Sequence, residues 1–284
     1  MAQHPSFDRD ECIEQAYFFR TFRERLAEGV ASQDILTRMD EELLSTTKLP
    51  MATQFLASEL KHSGLLGSGF ARLSHYFTPF QTFIIRQSED DKRKFNIVTA
   101  LLFLEREAVY KSTGATPAGL FVYHFETVSR NKLGYDDGLK ASSEDPIFDK
   151  NWQEYIDVVR RQVGTYDFSD LVYLRSALHV ADVKRKDATY EPSQPPLFAD
   201  KEGKIAKASR GRDPLFLFAA LQRQLGYPEV PRSLPTDGVW KQIELMQNRM
   251  KEMELRLKIT ESEVRGTFDP TQFGKPELFK DDNL

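Results

Sequence analysis

Glu59-Leu-Lys-His62 sets a carboxylate and an imidazole three residues apart, which on a helix places both on one face. Such a Glu-x-x-His step is the local unit of di-metal carboxylate helix bundles. Glu105 extends the idea, because it shares a stripe with Val98, Leu101, Leu102 and Val109, and a carboxylate facing a core needs a partner. A site of that kind wants a second Glu-x-x-His, and the chain has none. His124 and Glu126 stand about 200° apart on a helix and cannot share a face, whereas Glu126 and Arg130 are spaced to pair at i+4. The reading is a salt-bridged Glu105 and a surface His62, and neither a metal nor a cofactor is assigned.

Nucleophilic chemistry has less to work with. Cys12 falls on an apolar helix face, where a thiol behaves as a small hydrophobe. Ser68 sits in Gly67-Ser-Gly69, without the Gly-x-Ser-x-Gly spacing or a preceding strand. With Gly64 the same glycines spell G-x-x-G-x-G, the wrong order for a dinucleotide fingerprint. Asp136-Asp137-Gly138 is ordinary turn chemistry, and His75 and His179 stand alone. The residues name no reaction and lean away from an enzyme; an enzyme with its site in the aromatic helical part, metal-dependent through Glu59, His62 and Glu105, is the third reading.

Charge is more telling locally than in total. The 284 residues carry 39 Lys and Arg against 43 Asp and Glu, a net charge of −4, which argues against a dedicated polyanion binder. Between Lys184 and Arg212, however, eight cations face four acids. On a hairpin, Lys201, Lys204, Lys207, Arg210 and Arg212 could contact phosphates, which makes a nucleic-acid-associated factor the second reading. No aromatic interleaves these cations as a stacking platform, and Lys commonly blunts exposed strand edges, so nucleic acid is the weaker alternative.

The elements that must position these groups are mostly helices. Cys12, Ala16, Phe19, Phe22 and Leu26 recur at helical steps from near Asp10 to Ala27, and Ser32 opens a helix with Ile35, Leu36 and Met39. Pro50 starts a third, stopped at Ser63-Gly64. Two short helices meet at Thr78-Pro79, and longer ones run from Asp90 to Lys111 and from Pro117 to Lys132. Tyr135 to Asp149 reads as a polar turn region, followed by a helix from Trp152 to Val163. Phe supplies 21 aromatics against ten Tyr and two Trp, which predicts a bulky helical core. Beyond residue 166 the pattern turns toward β: a strand at Leu171–Val180, a hairpin at Leu197–Ala208 turning at Asp200–Gly203, then a helix from Pro214 to Gly226.

The most specific spacing comes last. Val239, Ile243, Met246, Met250, Met253, Leu257, Thr260 and Val264 follow a strict 4,3 repeat, the seam of a coiled coil. In a parallel dimer the flanking pairs are Gln242–Gln247, Arg249–Glu254 and Arg256–Glu261, with no like-charge clash. Arg265 to Leu284 reads as a disordered tail whose Phe268, Phe273 and Phe279 could anchor a protein partner.

These readings give a mainly α protein: a helical domain over 1–165, a small α+β domain over 166–232, a linker and coiled-coil helix over 233–264, and a tail over 265–284. One cysteine excludes an internal disulfide and a Cys-based zinc cluster. The N-terminus carries no signal-peptide pattern, and the longest nearly apolar run, Ile97–Leu104, falls far short of the ~20 residues that span a bilayer. The expectation is a cytoplasmic binding or scaffold protein, a homo-oligomer with a dimer favoured, that does not use membranes.

Overall fold

The computed structural model describes residues 8–90, 95–232 and Met253, and the chain divides into Met1–Ser233 and Leu234–Leu284. The described residues of the first unit form thirteen helices. They are α1 (Arg9–Ala27), α2 (Ser32–Met39), α3 (Leu49–Ser63), α4 (Leu66–Arg72), α5 (Pro79–Ser88), α6 (Ile97–Ser112) and α7 (Pro117–Asn131). Then come α8 (Tyr135–Ser143), α9 (Lys150–Gln162), α10 (Phe168–Leu174), α11 (Ala177–Lys184), α12 (Asp200–Ala208) and α13 (Pro214–Leu225). No helix among the described residues is long and apolar enough to cross a membrane.

Local sequence explains most boundaries. Thr78 and Gln81 form a reciprocal capping box ahead of Pro79, so the expected break between α4 and α5 is a capped start. Gly64 and Gly226 end α3 and α13 in the left-handed conformation that glycine adopts at no steric cost. Ser32 is already inside α2, whose cap is Ala31, so its side chain does not cap. Tyr135–Ser143 is helix α8 and not a polar turn: Asp136 and Asp137 fall in its first turn, where carboxylates complement the helix dipole.

The expected α+β domain is not present, because the region is helical. Leu171–Val180 is split into α10 and α11 by Ser176, whose hydroxyl caps α11 by accepting from His179 N. A short buried apolar run reads alike as strand or helix, and here Leu171, Val172 and Tyr173 bury one turn of helix. The hairpin at Leu197–Ala208 is α12, with Asp200 and Glu202 in its first turn and an Asp200–Lys204 ion pair at 2.6 Å. Gly203, read as a turn residue, serves packing. A Cβ there would lie 2.4 Å from Ser176 Oγ and 2.8 Å from Leu178 Cβ, so glycine lets α12 close onto the start of α11. The β-pairing among the described residues is two isolated bridges, Val163 with Tyr166 and Ser176 with Phe198.

Aromatic rings fill the core. Phe103 stacks on Tyr123 at 4.6 Å and Phe125 on Phe168 at 3.8 Å, both nearly parallel. Phe168, Phe198 and Phe218, all beyond residue 165, contact Phe121 or Phe125 of α7. α1 lies along α6, α5 and α9 pack on α8, and α13 packs on α7. Of the seam, Val239, Ile243, Met246, Met250, Leu257, Thr260 and Val264 lie outside the described residues, as do Arg249, Glu254, Arg256, Glu261 and the tail. Met253 is helical and 61% exposed.

Candidate functional site

α6 buries Ala100, Phe103, Leu104, Glu107 and Ala108, a stripe at steps of three and four that carries one carboxylate into the core. Lys111, one turn on, follows it. α7 brings His124, the last turn of α8 brings Ser142, and the following residues bring Asp145. Lys111 Nζ lies 3.0 Å from Glu107 Oε1 and 2.7 Å from Asp145 Oδ2. His124 Nε2 donates to Glu107 Oε1 at 2.8 Å, leaving Nδ1 to meet Ser142 Oγ at 2.9 Å. The imidazole stacks on Phe80 at 3.7 Å. Burial opposes ionising Glu107, but Lys111 and His124 outweigh it and hold the carboxyl well below the usual carboxylate range. Burial likewise opposes the Lys111 charge, yet Asp145 and Glu107 raise its pKa above the ordinary value.

A serine, a histidine and a carboxylate in sequence are the parts of an acyl-transfer triad, and a glutamate, histidine and aspartate are those of a metal site. Glu107, His124 and Asp145 do offer ligand atoms within 4.8 Å of one another. Lys111 decides between these uses. Its ammonium sits against both carboxylates, where a metal would have to bring its own charge, and a second cation there would meet like charge. Ser142, His124 and Glu107 have no exposed surface at all, so no substrate carbonyl can reach the hydroxyl. The cluster is an internal ion network.

The residues singled out from the sequence are dispersed. Glu59 pairs with Arg72 at 2.5 Å and accepts from Ser68 Oγ at 3.3 Å, Glu105 pairs with Arg23 at 3.0 Å, and His62 is exposed. The expected salt bridge of Glu105 is thus in place, and a metal site at Glu59, His62 and Glu105 does not form because each acid is spent on a different arginine. Glu126 pairs with Arg130 at i+4, at 2.5 Å, and also accepts from Tyr227 OH at 2.6 Å. Cys12 is 4% exposed and burial pushes its thiol up to about 11, which keeps it protonated and unreactive.

Four of the segment's eight cations are paired where they sit. Lys204 pairs with Asp200, Lys207 and Arg185 with Asp182, and Arg210 with Asp170. One aromatic does interleave: Tyr173 lies under Arg210 at 4.3 Å and Lys207 at 5.6 Å. That ring is buried, so it offers no stacking face to a base. A basic hairpin was the basis of the nucleic-acid reading, and these cations stand on helices and a turn instead.

An open cleft of about 720 Å³ lies between the start of α1, the 46–48 turn, α3 and the 73–76 turn. Its floor is apolar: Met51, Ala52, Phe55 and Leu73, with Met51 76% exposed. Its rim carries Asp8 and Asp10. Glu11 closes one wall, accepting from Lys48 N at 2.6 Å and from Tyr76 OH at 2.7 Å. Burial first, and the bond to Glu11 second, push the Tyr76 phenol far above its ordinary pKa. Concave, mostly apolar openings with a few polar groups are where ligands are held.

No family model, curated protein or solved structure matches the chain. The Lys111 network is not read from the sequence because the stripe that carries Glu105 is only partly the buried one. Val98 and Val109, used to place Glu105 toward the core, are among the exposed hydrophobics. The Glu107–Lys111 pair at i,i+4, on a stripe with Ala100, Phe103 and Leu104, was the signal available.

Proposed function

We propose that this is a cytoplasmic binding and assembly protein rather than an enzyme. The heptad from Val239 to Val264 joins copies of the chain, a dimer being favoured. The apolar cleft over Met51 and Phe55, or the aromatic tail, holds a protein partner. The observation that carries the reading is where large apolar side chains stand uncovered. Among the exposed large apolar side chains are Met253 on the seam and Met51 in the cleft, whereas Ser142, His124 and Glu107 are sealed from solvent and bonded to one another. The acidic rim of the cleft favours a partner segment with basic residues beside its apolar ones.

The test is light scattering coupled to size-exclusion chromatography on the full chain and on its Met250→Asp, Leu257→Asp variant. The expected result is twice the chain mass for the wild type and the single-chain mass for the variant. The variant must keep the circular dichroism of the helical body. A wild type that runs at the single-chain mass overturns the assembly reading, and a variant unchanged in size removes the seam as its interface.

A further inference from the structure

Arg175, between α10 and α11, is a partly buried cation with no carboxylate in salt-bridge contact. Its Nη1 donates to Gln194 Oε1, and its Cζ lies 5.6 Å from the centroid of the Tyr155 ring. Nε and Nη2 are shut off from solvent without a hydrogen-bond partner. The acid nearest in effect, Glu154, is engaged by Gln194 Nε2 at 3.5 Å instead of by the arginine. Burial lowers the guanidinium pKa, the direction expected when lost solvation is not replaced. Buried charges in folded proteins are paired, and Nη1, held by the neutral Gln194, is the part of this guanidinium an anion can reach first.

The surroundings fit one. A cavity of about 150 Å³ adjoins Arg175, walled by Ser176, His179, Tyr190, Gln194 and the prolines of the 192–196 strap. At ~30 Å³ per water this is room for roughly five waters, enough for a phosphate group. The 184–212 segment that borders it carries eight cations against four acids, of which Arg185, Lys204, Lys207 and Arg210 are already paired.

We propose that this cavity binds a phosphate monoester group, with Arg175 as its principal ligand and Gln194 as the side chain it displaces. Freed from Gln194, the guanidinium can offer two parallel N–H groups to the phosphate oxygens, the arrangement arginine is built for. The exposed strap residue Gln194 then acts as a stand-in acceptor that the anion must outcompete.

Calorimetric titration of the full chain with inorganic phosphate, at ionic strength fixed with chloride, tests this. Glycerol phosphate and a pentapeptide with a central phosphoserine serve as further arms. The wild type is expected to bind phosphate and glycerol phosphate. Weaker binding of the peptide assigns the site to small phosphorylated molecules, and tighter binding assigns it to phosphorylated side chains; both keep the phosphate site. Arg175→Gln is expected to weaken binding about tenfold or more, the loss of a charge-assisted bond. Gln194→Ala, on the surface and neutral to folding, is expected to tighten it about threefold by removing the competing acceptor. No binding by the wild type at about 10 mM phosphate overturns the proposal, since so weak an affinity would leave the site empty. Equal binding by Arg175→Gln overturns it too, because that is an adventitious ion only. If Arg175→Gln does not fold, Gln194→Ala decides alone: tighter binding supports the site, and unchanged or weaker binding discards it.

Discussion

Lys111 and Arg175 are both cations drawn away from water, and the molecule treats them in opposite ways. Lys111 touches two carboxylates, one of which is held by a histidine that is itself held by a serine and stacked on a ring. Arg175 has one neutral carboxamide and the face of a tyrosine. Desolvation is charged to both, and only the first is compensated. The difference separates structure from opportunity. Charged groups paired with one another behind a closed surface leave nothing for a ligand, however suggestive their types, while a cation without a carboxylate beside a cavity has chemistry left to offer.

The comparison is sharpest at Glu107. Glu107→Gln removes a charge that serves both Lys111 and His124, and a loss of about 3 kcal/mol is expected at neutral pH. The pH dependence follows from the direction of its shift. A carboxyl held below its ordinary value of 4.5 contributes stability above that pH and loses it as pH falls through the folded value. The gap between wild type and Glu107→Gln in urea unfolding is therefore constant above about pH 5 and closes below it. A gap that persists undiminished at pH 3 breaks the account of Glu107 as an ionised member of the network. Lys111, whose pKa is raised, contributes fully below its ordinary value of 10.5 and fades only above it.

Ser142→Ala is the smaller cut. It leaves His124 Nδ1 without its partner while the ring remains stacked and bonded to Glu107, so a loss of about 1 kcal/mol is expected. Chemical denaturation measures it. A loss near that for Glu107→Gln would mean the serine carries more of the network than its one hydrogen bond accounts for.

Several helix boundaries are legible where local chemistry sets them: Pro50, Pro79 and Pro214 at helix starts, Gly64 and Gly226 at ends. The Glu126–Arg130 pair and the burial of Cys12 were legible for the same reason, since both lie within one helix. Legibility failed where one residue type serves two purposes. Gly203 satisfies a turn and a close helix contact equally well in a sequence, and only the presence of Ser176 and Leu178 against it distinguishes them. The network failed to appear for a further reason. Asp145 and Ser142 reach Lys111 and His124 from 34 and 18 residues away, through packing no periodicity encodes. Arg175 was hidden because the absence of a partner is visible only in three dimensions.

Lys111 is structural and Arg175 is spare, and matched substitution tests this directly. Lys111→Met and Arg175→Met keep much of the side-chain volume and delete the charge. In urea unfolding of the full chain, Lys111→Met is expected to lose roughly 3–5 kcal/mol by stranding two buried carboxylates. Arg175→Met is expected to change stability by less than about 1 kcal/mol, or to gain, because it removes an unpaired charge and strands none. Comparable losses in the two variants would contradict the account, since Arg175 would then be held by interactions as extensive as those of Lys111.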